Sequence, residues 1–326
     1  MRAVLCKSFG PPESLVVEDL PSPKAGPGQV VIDVKAAGVN FPDTLIIQNK
    51  YQVKPPLPFS PGSEMAGVIK EVGAGVTAFK PGDAVMCMPG FGAFAEEVAA
   101  DAERCVKLPP GVPFDLAAAF TLTYGTSHHA LKDRGALKPG ESLLVLGAAG
   151  GTGLSAVEIG KALGAVVTAA ASSDDKLEVC RQHGADHVIN YAKEDLREAL
   201  KRIGGAKGFD VVYDPVGGSF AETAVRATAW RGRYLVIGFA QGEIPKIPLN
   251  LPLLKGSSIV GVFWGSFSRQ EPKRFAADLA ELLDWLKAGK IKPRVSKSYK
   301  LAEAPQALRD MLERKVIGKV VVLPEA

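Results

Sequence analysis

The sequence predicts an α/β fold, a doubly wound parallel sheet joined to a mostly β unit, on three observations. From about Leu122 onward, apolar runs of strand length alternate with helix-length segments of about 10 to 15 residues, the pattern of a parallel α/β sheet. One such run, Leu143 to Leu146, passes straight into Gly147-Ala148-Ala149-Gly150-Gly151-Thr152-Gly153 and then a helix. Residues before about 120 instead carry short strand-like runs separated by Pro-Gly pairs, as chains do where strands are joined by sharp turns.

In the first part the strand-like runs are Ala3–Lys7, Leu15–Asp19, Val30–Lys35, Gly67–Val72, Ala84–Met88 and Glu97–Ala99. Between two of them lies the polar loop Gly38-Val39-Asn40-Phe41-Pro42-Asp43, then a short helix and Tyr51. The second part reads in order as helix Thr126–Arg134, strand Leu143–Leu146, helix Leu154–Leu163, strand Val166–Ala171, helix Lys176–His183 and strand Val188–Asn190. It continues with helix Leu196–Ile203, strand Val211–Tyr213, helix Ala221–Thr228 and strand Tyr234–Ile237. Beyond Ile259–Val262 come a long helix, Phe275–Leu286, and a final strand, helix and strand at Val295–Tyr299, Ala304–Leu312 and Val320–Leu323. Periodicity alone does not assign this tail to either unit.

Composition narrows the function classes. The chain has 326 residues, 47% hydrophobic and 23% charged, with room for about two domains. No run approaches the ~18 apolar residues of a membrane span, and the N-terminus lacks a signal-peptide apolar segment, so a cytoplasmic location is expected. The formal charge of +4 is spread among acidic residues, which does not suggest nucleic acid. Cys6, Cys87, Cys105 and Cys180 contain no C-x-x-C pair, and neither they nor the four histidines have metal-ligand spacing, so no metal is expected.

The glycine cluster carries the clearest chemistry. Ala148-x-Gly150-x-x-Gly153 matches the dinucleotide fingerprint with alanine at the first position. The first residue is expected to allow the turn, Gly150 to let backbone approach a pyrophosphate, and Gly153 to let helix pack closely on strand, while N–H groups at the helix start face the anion. Glycines also mark ordinary turns; the flanking strand and helix favour the nucleotide reading. An NAD site usually has an acidic residue at the end of the second strand, where this chain has Ser172-Ser173. Asp174 and Asp175 fit better as the start of the following helix. Ser172 and Lys176 can together bond a 2′-phosphate, so NADPH is expected over NADH.

Several segments together are similar to the medium-chain dehydrogenase/reductase superfamily, and more closely to its zinc-independent quinone oxidoreductase (zeta-crystallin-like) branch. They are Gly38-Val39-Asn40-Phe41-x-Asp43, Pro61-Gly62-Ser63-Glu64-x-Ala66-Gly67, Gly92-Ala93-Phe94-Ala95-Glu96, Gly147–Gly153 and Gly318-Lys319-Val320-Val321. The resemblance implies a Rossmann domain at 123–264 inserted into a GroES-like, mostly β catalytic domain made of residues 1–122 and 265–326. In zinc relatives a cysteine and a histidine ligate the metal near the positions of Asn40 and Ser63, and neither ligand type is present here. The resemblance places Asn40 and Tyr51 beside the nicotinamide and acceptor and Thr126 in a cleft between the domains. It assigns Gly150, Gly151 and Thr152 to the pyrophosphate, Ser172, Lys176 and Tyr191 to the adenosine end, and Phe239, Phe263 and Trp264 to the nicotinamide pocket. Many relatives carry tyrosine where this chain has His128, which either donates a proton or fills the cleft.

Without a Lewis acid an alkoxide is poorly stabilised, whereas hydride addition to an electrophilic acceptor is not. The resemblance thus implies an NADPH-dependent quinone reductase. The alternatives are reduction of conjugated enals, enones or enoyl thioesters, and an NADPH-binding structural or regulatory protein with little catalysis. The strand-like Val260–Trp264 corresponds to an edge that commonly pairs across a two-fold in this family, so a homodimer is expected.

Overall fold

The computed structural model describes residues 1–324, which form two compact units. The first comprises Met1–Leu122 and the chain from Pro293 onward; the second is Thr123–Lys292. The later junction therefore falls at 292/293, beyond the 264/265 boundary expected from the sequence. The reason is packing. Helices Trp264–Gln270 and Pro272–Lys287 dock on the first helix of the second unit, Trp264 against Gly125 and Glu281 against His128.

The first unit is built on a seven-stranded sheet in which Gln29–Gly38 is central, antiparallel to both Glu64–Val72 and Glu97–Asp101. The closing strand Lys319–Leu323 also pairs with Gln29–Gly38, through Val321 opposite Gly38, and this brings the two ends of the chain into one core. Pro42 near its start and the capping box of Asn40 and Asp43 initiate the short helix Phe41–Ile46 just where the central strand ends.

In the second unit six parallel strands lie in the order His187–Asn190, Val166–Ala171, Ser142–Leu146, Phe209–Asp214, Thr228–Val236, Ser258–Gly261. This is the doubly wound 3-2-1-4-5-6 order, whose switch point lies between Ser142–Leu146 and Phe209–Asp214. Leu143, Leu144, Val145 and Leu146 are all buried, as a strand covered on both faces requires. The last strand ends at Gly261, so the strand expected over Val260–Trp264 is shorter, and Trp264 instead begins a helix. No helix among the described residues is long and apolar enough to cross a membrane.

Candidate cofactor and acceptor site

The glycine turn lies at the carboxyl end of the first parallel strand, as the fingerprint requires. The sharp reversal falls on Gly147, whose φ of 57° is in the left-handed region, and not on Ala148, which is wholly buried. This explains why alanine is tolerated at the first fingerprint position. A Cβ on Gly153 would lie 2.3 Å from Gly147 O and 2.7 Å from Ala148 Cα, so only glycine lets helix Gly151–Ala162 approach the strand. At Gly150, by contrast, a Cβ would meet only Gly147 O, at 3.4 Å. The first N–H groups of that helix, at Gly151, Thr152 and Gly153, precede its first intrahelical bond, Leu154 N to Gly150 O.

Beneath the loop is a buried hydroxyl cluster. Ser127 Oγ donates to Thr152 O at 3.0 Å and lies 2.8 Å from both Ser155 Oγ and Tyr213 OH. These bonds fix helix Thr121–His128, which carries half-buried Thr126, against the glycine loop.

At the end of the second strand Ser173 caps helix Asp174–Gln182, its side chain accepting from Lys176 N. Lys176 Nζ turns back to donate to Ser172 Oγ at 3.2 Å, which brings together the two side chains expected at the ribose. Asp174 points elsewhere: Asn190 Nδ2 donates to it at 2.6 Å and Lys193 Nζ at 2.5 Å, and these two bonds hold its carboxyl below the usual range. Its carboxylate is thus paired with Lys193 at the helix start, and the strand end itself carries Ser172. Tyr191 stacks at a tilt on Phe220, with its backbone N–H bonded to Ala171 O at the end of the second strand.

Phe239 is half-buried beside Gly217 and shares a pocket with Asp214, Tyr234 and Ile259. Asp214, which sequence reasoning missed, accepts from Val216 N at 2.7 Å, Gly217 N at 2.9 Å and the Tyr234 hydroxyl. Burial raises its pKa against those bonds. The signal for it was Asp214-Pro-Val-Gly-Gly, a carboxylate at a strand end followed by a glycine turn.

The remaining predicted residues separate. Phe263 is half exposed, whereas Trp264 is buried edge-on to Phe275 and fills the space that a side chain at Gly125 would need. His128 is 1% exposed and turned toward helix Pro272–Lys287, with Nε2 2.7 Å from Glu281 Oε2, Nδ1 3.7 Å from Asp278 and its ring edge-on to Trp285. This is a packing position, so of the two roles offered by the sequence the geometry favours filling over proton donation.

In the first unit Asn40 belongs to a buried polar cluster. Its Nδ2 donates to Glu64 Oε1 at 2.9 Å, and its Oδ1 accepts from Lys319 Nζ at 2.5 Å. Lys319 Nζ also donates to Val39 O at 2.8 Å and Glu64 Oε1 at 2.9 Å. Asp43 accepts from Asn40 N at 2.8 Å; burial, with the nearby Glu64 charge adding, raises its pKa to about 7 against the Asn40 N–H and the Lys319 charge. The donor set does not fit zinc, because Asn40 and Ser63 offer an amide and a hydroxyl, and the amide is already committed to a carboxylate and an ammonium. Among the described residues no three His, Cys, Asp or Glu side chains come together as a metal-binding group. Tyr51 packs on the edge of the same unit's apolar core.

A parallel sheet of this order with a glycine turn at its switch point defines the class as a dinucleotide-binding protein. Residues 151–286 match the family described as zinc-binding dehydrogenase, and residues 26–110 the alcohol dehydrogenase GroES-like domain. The chain is 38% identical over 322 residues to quinone oxidoreductase-like protein 2 of Bos taurus, covering 98% of this chain and 92% of that one. It is 35% identical to a quinone oxidoreductase of Pseudomonas aeruginosa, covering 97% and 98%. The crystal structure of Escherichia coli quinone oxidoreductase complexed with NADPH superposes with a TM-score of 0.94 at 30% identity, over 99% of this chain and all of that one. The chain belongs to the quinone oxidoreductase branch of the medium-chain dehydrogenase/reductase superfamily.

Proposed function

We propose that this oxidoreductase uses NADPH to reduce quinones. The observation that carries the cofactor choice is the Ser172–Lys176 pair at the end of the second strand, with Asp174 bound to Asn190 and Lys193. The name and ligand of the E. coli neighbour support the same reading. Gly150, Gly151, Thr152 and Gly153 hold the pyrophosphate through backbone N–H groups and the helix start. Ser172 and Lys176 bond the 2′-phosphate, and Tyr191 flanks the adenosine. NADPH, when bound, supplies hydride from C4 of its nicotinamide. Phe239 and Phe263 shape that ring's pocket, with Trp264 as its packed backing. Asn40, Tyr51 and Thr126 are assigned to the acceptor, and Asn40 brings an amide already fixed by Glu64 and Lys319, so little reorganisation is needed. Water protonates the product.

We assign a homodimer formed through the edge strand Ser258–Gly261. It closes one side of the six-stranded sheet, and Ile259 on it, together with Trp230, Leu253 and Leu254 nearby in sequence or sheet, is exposed. Four free cysteines suit a reducing compartment, and we place the protein in the cytoplasm.

The test is NADPH oxidation against ortho- and para-quinones, conjugated ketones, acrolein-like enals and crotonyl-CoA. Highest kcat/KM on a quinone is expected. Preference for an enal, enone or thioester would move the substrate to activated alkenes, and no turnover with intact NADPH binding would favour a binding role.

A further inference from the structure

Two of the buried cysteines face each other across one strand pair. Cys87 ends the strand Ala84–Cys87, and Cys105 begins Cys105–Lys107; the antiparallel register sets them directly opposite. On either side, Leu108 N donates to Ala84 O at 2.9 Å and Met88 N to Arg104 O at 3.3 Å. Hydrogen-bonded pairs alternate along an antiparallel ladder, so Ala84/Leu108, Met86/Val106 and Met88/Arg104 are hydrogen-bonded and Cys87/Cys105 is not. At such a position the Cα atoms lie about 4.5 Å apart and side chains come closest, within the ~4.4–6.8 Å range that a disulfide spans. Both thiols face the same apolar core, and the Cys105 thiol donates to Asp101 O at 3.8 Å. Cys6 stands opposite Phe59, and Cys180 lies in helix Asp174–Gln182 of the other unit.

We propose that Cys87 and Cys105 are a redox pair that closes to a reversible disulfide when a hydroperoxide is the oxidant. Relative exposures of 2% for Cys87 and 7% for Cys105 exclude bulky disulfide oxidants and leave a small molecule such as hydrogen peroxide. Cys105, at the strand start and the more exposed of the two, meets the peroxide first. Its sulfur attacks one peroxide oxygen; an S–O bond forms, the O–O bond breaks, and hydroxide leaves with the thiol proton as water. Cys87 sulfur then attacks the sulfenic sulfur, an S–S bond forms, the S–O bond breaks, and the second proton leaves as water. In sum two thiols and one peroxide give one disulfide and two waters. A dithiol reopens the bridge by thiol–disulfide exchange.

The closed loop would span the turn that bonds the segment before Glu64: Gly92 N to Ser60 O, Ala93 N to Gly62 O and Gly90 N to Ser63 O. Cys87 is also opposite Met65, the neighbour of Glu64, so the bridge would brace the frame that carries the Asn40 cluster.

The experiment treats the native full chain with hydrogen peroxide, blocks remaining thiols by alkylation under denaturing conditions, and maps the unreduced digest by mass spectrometry. The expected result is one cross-linked species joining Cys87 and Cys105, two hydrogens lighter than the thiol pair, removed by dithiothreitol, formed faster as pH rises, and accompanied by a higher Tm. In Cys87→Ser, dimedone should label Cys105. If that variant fails to fold, the wild-type map decides alone. Alkylation of both thiols after treatment, or oxidation of each to a separate acid without a cross-link, would overturn the proposal.

Discussion

Lys319 and Glu64 form a buried ion pair of 2.9 Å, their side chains 6% and 2% exposed, across 255 residues of sequence. Removing one partner strands the other in a core that cannot solvate it. Lys319→Met should therefore cost about 3–5 kcal/mol, more than an exposed pair could. Urea unfolding measures this, and a loss below ~1 kcal/mol would show that Glu64 finds another partner.

Asp43 gives stability a pH slope. Its folded pKa is raised to about 7, while an unfolded aspartate titrates near ~3.9. Between those values the folded chain keeps a proton that the unfolded chain has lost. The stabilisation is full below the unfolded value and is lost as pH rises through about 7. Asp214, also raised by burial, acts in the same direction. Asp43→Asn should flatten the fall in urea midpoint between about pH 4 and 7; an unchanged slope would assign the titration elsewhere.

Lys176→Ala should lower the preference for NADPH over NADH by roughly tenfold in kcat/KM, because one charge-assisted bond to the 2′-phosphate is lost. Steady-state kinetics with both cofactors decide it. Equal loss with NADH would mean that the lysine holds some other part of the nucleotide.

His128→Phe should keep kcat/KM within about twofold while lowering Tm, since the ring touches Glu281 and Trp285 in a helix interface. A loss of turnover with unchanged Tm would return His128 to the chemistry.

Ile259→Glu should convert the proposed dimer to monomer in sedimentation velocity, because a charge on the open strand edge opposes pairing. A variant that sediments as the wild type would move the interface away from Ser258–Gly261.

The glycine cradle was legible because its determinants are local. Strand, turn and helix are consecutive, and the missing acid after the second strand is visible two residues at a time, as are Ser172 and Lys176, four apart across the start of a helix. His128 and Trp264 were less legible. Their residue types fit a cleft or a core equally, and only the docking of helices Trp264–Gln270 and Pro272–Lys287 chose the core. Even the turn itself moved by one residue, since a glycine at 147 and an alanine at 148 do not reveal which takes the positive φ.

The sequence by itself determined the order of elements, the parallel sheet and the nucleotide loop, because helical and strand periodicity and a tight turn are written in neighbouring residues. Only the tertiary structure decided that Lys319 reaches Asn40 and Glu64, that Cys87 meets Cys105, and that the second unit extends to Lys292. Each of these depends on the register of strands or the docking of helices far apart in the chain, and burial then fixes which polar group must find which partner.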